Sequence, residues 1–286
     1  MSITTPRAST RIHFASPSTE STKNTGGIRG VVFDIDGTLA DSWNLGYQAT
    51  LTVLTEYHNA KNNEALTPEI YPLTSEEYHY GCRFTTPERL ARHVGLEPGH
   101  PSFDEVGEQL GRQFDDYYVQ LVDKKTAGFY DGIGELLIKM HSGNLSESDD
   151  GRTGLKIGAL TNACVEYAHA VLKANCPQQS FDTSADENKG IYHRFSSIHG
   201  ANSVPRPKPF GDGILQCCSE MGLDPSDVIY VGDAPTDAKA AVDAKCRAAI
   251  GVLWGSNDEK CLSQEEGFDT LVSDVNALES AIRKYF

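Results

Sequence analysis

Val31-Val32-Phe33-Asp34-Ile35-Asp36-Gly37-Thr38-Leu39-Ala40-Asp41-Ser42 is the stretch that decides the architecture of this chain. It opens as a short apolar run rich in β-branched residues, the pattern of a strand buried on both faces. Two carboxylates follow, one residue apart, and the run breaks at Gly37. Strand alternation points Asp34 and Asp36 to one side and Ile35 to the other. Like charges that close repel, and they are costly to desolvate unless a cation stands between them. A divalent metal beside a nucleophile is therefore expected. A strand ending in a polar turn, with Asp34 as its cap, is the plainer alternative.

Downstream of Ser42 the pattern turns helical. Trp43, Tyr47, Leu51, Leu54 and Tyr57 recur along one face of an amphipathic helix, with Asp41 or Ser42 placed to cap it. Thr86-Pro87 reads as an N-cap and first helical position. Phe103, Val106, Leu110, Phe114, Tyr117 and Leu121 repeat the helical spacing, although Gly107 and Gly111 each cost about 1 kcal/mol against alanine. Another helix is expected after Gly132. From residue 156 onward strands alternate with helices: 156–160, 228–232 and 248–252 are the clear strands, with a weaker one at 195–198 and a last at 270–272. This alternation implies an α/β fold with a doubly wound, Rossmann-like parallel sheet, whose ligands bind beyond the carboxyl ends of the strands. The expected organisation is a disordered tail or targeting segment over 1–28, an α/β core made of 29–41 and 130–286, and an α-helical cap over 42–129.

Composition excludes several functions. The 286 residues carry a formal net charge of −15, which lacks the basic footprint that nucleic acid or an anionic membrane requires. No apolar run reaches the ~18 residues of a membrane-spanning helix. The seven cysteines are odd in number and show no C-x-x-C spacing. Reduced thiols fit best, with neither disulfides nor a zinc site, and a cytoplasmic location is expected. Residues 1–28 are rich in Ser and Thr and hold a single acid, Glu20. They read as a tail, or as a transit peptide that would send the chain to a plastid or mitochondrion. Segments 142–154 and 178–193 read as polar surface insertions, and the glycosylation-like Asn144-Leu145-Ser146 in the first as chance.

The polar signals gather where such a sheet places its site. Asp34 and Asp36 follow the first strand, Thr161 and Asn162 the second, and Asp233 and Asp237 the third. Pro207-Lys208-Pro209 delivers a lysine whose backbone is restricted from both sides. These residues form four motifs in one order: Asp34-Ile35-Asp36-Gly37-Thr38, Leu160-Thr161-Asn162, Lys208-Pro209 and Gly232-Asp233-Ala234-Pro235-Thr236-Asp237.

The set resembles the haloacid dehalogenase (HAD)-like hydrolase superfamily of phosphohydrolases, across residues 30–286. The helical block between the first two motifs is similar to the helical-cap subgroup that includes phosphoglycolate phosphatases and β-phosphoglucomutases. Val252-Leu253-Trp254-Gly255 resembles the phosphoglycolate phosphatase type. The resemblance implies a Mg²⁺-dependent phosphatase acting on a small-metabolite phosphomonoester. Asp34 is then the nucleophile that forms an aspartyl-phosphate, and Asp36 the general acid and base. Mg²⁺ is expected on the Asp34 and Asp233 carboxylates and the Asp36 carbonyl, with Asp237 positioning Lys208 or a metal-bound water. Thr161, Asn162 and Lys208 are expected to hold the phosphate, and Arg83, in the cap loop Tyr80-Gly81-Cys82-Arg83, to pair with a substrate carboxylate. The expected partner is a small phosphorylated metabolite, with no nucleic acid or membrane, and the chain is expected as a monomer or homodimer. Two alternatives stand beside this: a phosphosugar mutase using the same chemistry, and a non-catalytic binding protein on the same fold. A dehalogenase has no leaving oxygen to protonate, so Asp36 counts against it.

Overall fold

A computed structural model describes residues 26–63, 65–145, 154–175, 190–264 and 266–286. Most of the tail over 1–28, and most of the insertions at 142–154 and 178–193, lie outside these residues. The central element is β1 (Gly30–Phe33), whose four residues are all buried. It lies between β4 (Lys156–Leu160) and β6 (Val228–Gly232), and both pairings are parallel. With β5 (Phe195–His199), β7 (Ala248–Val252) and β8 (Thr270–Val272) the sheet has six strands in the order β5-β4-β1-β6-β7-β8. The strand order reverses direction at β1, which opens a crevice beyond its carboxyl end.

Side-chain alternation along β1 builds the two layers. Val31 and Phe33 join one cluster with α5 (Ile133–Ser142), α6 (Val165–Ala174) and α10 (Val275–Arg283). Val32 joins the other, with α7 (Asp212–Met221) and α8 (Pro235–Ala244). Burial on both faces is what the unbroken apolar run requires.

Between β1 and β4 the chain inserts helices. A two-residue strand, β2 (Ala40–Asp41), leads out, and β3 (Gly128–Phe129) returns antiparallel beside it. Between them lie α1 (Trp43–Asn62), α2 (Ser75–Gly81), α3 (Thr86–His93) and α4 (Phe103–Gln120). Two details depart from the sequence expectation. Thr85, not Thr86, is the N-cap of α3, so Pro87 falls one place further in. The buried face of α4 runs through Phe103, Gly107, Leu110, Gly111, Phe114 and Tyr118, so Tyr118 points inward in place of Tyr117. The reason is the close approach of α3. A Cβ on Gly107 would lie 2.7 Å from the Pro87 carbonyl oxygen, and one on Gly111 would lie 3.1 Å from the Pro87 ring. The glycines that weaken the helix are what lets it pack. No described helix is long and apolar enough to cross a membrane.

Candidate active site

The motifs converge beyond the carboxyl ends of β1, β4 and β6. Asp34 follows β1 directly, and its Oδ1 accepts a hydrogen bond from Lys208 Nζ at 2.6 Å. The same ammonium donates to Asp237 Oδ1 at 2.7 Å. Asp237 sits in the first turn of α8, where its Oδ2 accepts from the Ala234 amide and its Oδ1 also accepts from the Tyr230 hydroxyl. Asp233, at the end of β6, accepts from the Ser256 amide at 2.7 Å. All four side chains are buried. Asn162 fixes the lysine's backbone from both sides: its Nδ2 donates to the Lys208 carbonyl, and its Oδ1 accepts from the Lys208 amide, each at 3.0 Å. Gly37 adopts φ +74°, and a Cβ there would lie 2.3 Å from Asp233 Oδ2. The break in the first motif therefore gives the turn its conformation and leaves room for the Asp233 carboxylate.

Asp34, Asp233 and Asp237 bring carboxylate oxygens within 4.8 Å of one another. Burial, then the Asp237 charge, pushes the Asp233 carboxyl up to about 7. Burial also raises Asp34 well above the ordinary carboxylate range, with Lys208 opposing and Asp237 and Asp233 adding to the shift. The cluster holds more negative charge than one lysine offsets. It offers only oxygen donors, the set that suits a hard divalent cation such as Mg²⁺.

Asp36 has a separate environment. Its Oδ1 accepts hydrogen bonds from Ser42 Oγ at 2.6 Å, Tyr167 Oη at 2.6 Å and Tyr118 Oη at 2.9 Å. Its Oδ2 accepts from Thr161 Oγ1 at 2.8 Å. Burial, then the Asp36 charge, raises both tyrosines, so their hydroxyls stay protonated and act as donors. The two rings stack at 3.9 Å with 10° between planes, and they come from α4 and α6, one on each side of the seam between inserted helices and sheet. The two carboxylates of the first motif are thus compensated separately, Asp34 by Lys208 and Asp36 by hydroxyls. Ser42, expected to cap α1, occupies the N-cap position without a capping hydrogen bond, because its hydroxyl is committed to Asp36.

One cavity of about 500 Å³ joins these groups to the inserted helices. Asp34, Asp36, Thr161, Asn162, Lys208 and Asp233 line its floor. Arg83 reaches its rim, but lies exposed over the Tyr80 ring at 3.8 Å and donates Nε–H to the Tyr80 carbonyl. Tyr118 and Tyr167 were not legible as site residues. Replacing Tyr118 by phenylalanine keeps the stack and removes one of the donors to the Asp36 carboxyl, a bond of about 1–1.5 kcal/mol. The expected result is a fall in kcat of about five- to tenfold. An unchanged kcat would mean that the hydroxyl does not position Asp36.

A carboxylate–lysine cluster at the crevice of a parallel sheet, roofed by inserted helices, is an arrangement suited to chemistry on a phosphoryl group. The chain belongs to the haloacid dehalogenase-like hydrolases, whose family model matches residues 28–245. It is 27% identical over 266 residues to the phosphoglycolate phosphatase of Chromobacterium violaceum, spanning 88% of this chain and 95% of that protein. The phosphoglycolate phosphatase of Escherichia coli K12 is 25% identical over 265 residues, spanning 89% and 92%. Among solved structures, a hydrolase from Pseudomonas syringae aligns with a TM-score of 0.64 at 23% identity, covering 90% of this chain and 98% of that one. CbbY from Rhodobacter sphaeroides, in complex with phosphate, aligns with a TM-score of 0.62 at 19% identity, covering 86% and 93%. At those identities the structural likeness speaks for the fold.

Proposed function

We propose that the chain is a Mg²⁺-dependent phosphatase that hydrolyses a small phosphorylated metabolite, a phosphoglycolate-like monoester, through an aspartyl-phosphate. One observation carries this reading: a buried carboxylate, Asp34, is held by Lys208 on the floor of a cavity that a second, hydroxyl-tethered carboxylate, Asp36, also lines. Asp34 attacks phosphorus, forming the Asp34–phosphorus bond as the ester oxygen leaves. Asp36 enters the cycle protonated on the Oδ2 that Thr161 vacates for the phosphate, gives that proton to the leaving oxygen, and takes one back from the water that attacks the acyl phosphate, so that Asp34 is regenerated and inorganic phosphate is released. Lys208 and Thr161 face the phosphoryl oxygens, and Asn162 keeps the lysine in place. Releasing Thr161 from Asp36 is part of accepting the phosphate, because its one proton cannot serve both acceptors.

The Asp34 and Asp233 carboxylates and the Asp36 carbonyl would hold Mg²⁺, with Asp237 supporting the lysine from behind. When bound, the cation supplies charge neutralisation for the transferring phosphoryl group, the main requirement of this chemistry. The inserted helices roof the cavity and, on closing over the substrate, would exclude bulk water.

The test is phosphate release across small esters, including 2-phosphoglycolate and hexose phosphates, with and without Mg²⁺. Chelation is expected to silence the enzyme, with recovery on adding Mg²⁺ but not Zn²⁺. Full activity in chelator would exclude the metal. Isomerisation of a sugar phosphate without net phosphate release would replace the phosphatase with a mutase.

A further inference from the structure

Val252-Leu253-Trp254-Gly255 takes no part in the chemistry above. It runs off the carboxyl end of β7, and residues 254–257 grip the carboxylate cluster from two sides. The Trp254 indole donates Nε1–H to the Thr38 carbonyl at 3.1 Å, in the turn that carries the first motif out of β1. Further on, the Ser256 amide donates to Asp233 Oδ2 at 2.7 Å. Asn257 Nδ2 donates to the Asp233 carbonyl at 3.1 Å, while its Oδ1 accepts from the Cys261 thiol at 3.5 Å. Gly255 lies between these contacts. Its φ is outside the left-handed region, so conformation does not call for a glycine there. Space does: a Cβ would lie 2.3 Å from Asp233 Oδ2 and 2.4 Å from the Gly37 carbonyl oxygen.

The two sides of the candidate cation site come from different strands, Asp34 and the Asp36 carbonyl from β1 and Asp233 from β6. Among the described residues the ladder between those strands ends with the Asp34 amide, which donates to the Val231 carbonyl at 2.8 Å. Beyond that bond, Asp34, Asp233 and Asp237 repel one another, and repulsion favours spreading them apart. The loop after β7 spans the gap, with its indole on the turn from β1 and its amides on Asp233. Tyr130 meets the indole edge-on, with centroids 6.3 Å apart, and so helps to hold the ring in place. Trp254 does not line the cavity.

We propose that Trp254 and Asn257 are positioning residues for the divalent cation. By tying the Thr38 turn and the end of β6 to one loop, they keep the ligands of the two strands in register and set the affinity of the site. Trp254 does this without touching cation or ester. The inference rests on the metal-dependent reading of the site and adds to it the residues that tune it. Groups that orient metal ligands typically change affinity by about 10- to 100-fold when they are lost, because the ligands must then be ordered as the ion binds.

The test reads the cation directly. Mn²⁺ binding to the full chain, followed by the electron paramagnetic resonance of the free ion, is compared between wild type and Trp254→Phe, which keeps an aromatic ring beside Tyr130 and removes the donor. The dissociation constant is expected to rise about tenfold. The Mg²⁺ concentration for half-maximal phosphate release should rise in step, while KM for the ester at saturating Mg²⁺ moves by less than about twofold. Asn257→Ala frees the Asp233 backbone from the same loop and should weaken Mn²⁺ in the same direction. It decides the matter if Trp254→Phe melts too early to titrate. An unchanged Mn²⁺ constant in Trp254→Phe, with only a lower melting temperature, would make the indole a structural group and overturn the assignment. So would an ester KM that rises while the Mg²⁺ requirement stays put. A wild-type protein that binds Mn²⁺ yet releases no phosphate loses the phosphatase reading alone, and the Mn²⁺ constants still judge the loop. A wild-type protein that binds no Mn²⁺ removes both.

Discussion

Replacing Asp34 by asparagine is expected to lower kcat/KM by about 10⁴-fold or more while the protein stays folded. An amide oxygen is too weak a nucleophile to form the acyl phosphate, and no neighbouring group can substitute for it. Asp233 accepts from the Ser256 amide and Asp237 from Lys208, Tyr230 and the Ala234 amide, so each is engaged where it stands. The fold should tolerate the change because the asparagine keeps an oxygen for the Lys208 ammonium. It also removes one of three crowded carboxylates, each of which repels the others. Phosphate release and a thermal melt on the same preparation check both halves. Retention of more than about a tenth of the activity would remove Asp34 from the nucleophile's role.

The second large effect is expected at Lys208, and there stability and rate should fall together. Burial alone would pull the lysine's pKa down, yet Asp237 and Asp34 together raise it, so the ammonium is held charged inside the protein. Lys208→Met leaves those two carboxylates facing each other with Asp233 close by. Breaking a buried pair from one side costs about 3–5 kcal/mol. Set against the 5–15 kcal/mol that stabilises a typical domain, this should lower the melting temperature by many degrees. The rate should drop by about 10³-fold through loss of a donor to the phosphoryl oxygens. Adding Asp237→Asn separates the two effects. The double variant should recover part of the stability, since one unpaired charge is gone, and none of the rate. A double variant no more stable than the single one would show that the lysine's charge is not what holds this corner together.

Much of this site could be read from the sequence because its groups sit at the ends of strands, where type and position are tightly constrained. Asp34 and Asp233 lie where the alternation of strands and helices placed them, and Lys208, in the loop between β5 and α7, was marked by the prolines on either side of it. The inserted helices were harder to read. Tyr117 and Tyr118 both fit a helical stripe to within one residue, and only the close contact of α4 with Pro87 chooses between them. Gly107 and Gly111 carried that information, since both lie on the buried face with Phe114 and Tyr118, but singly they read as costs to the helix. Arg89, buried between the Tyr78 and Phe114 rings, was hidden for another reason: its neighbours Glu88, Arg92 and His93 make α3 look like a solvated helix, and burial of one charged residue among several leaves no periodic trace. The β2–β3 ribbon, two residues in each strand, is too short for alternation to register.

The stacked tyrosines make the two halves of the molecule interdependent. Tyr118 travels with the inserted helices and Tyr167 stays with the sheet, yet both hydroxyls end on one oxygen of Asp36. If those helices swing away to admit a substrate, they withdraw one of the tethers on the proton-carrying carboxylate and separate the rings. Substrate entry and readiness for proton transfer then exclude one another. A molecule of water that reaches the floor through the open mouth meets a slackened Asp36, and the Tyr118 tether returns only when the mouth shuts over what it has captured.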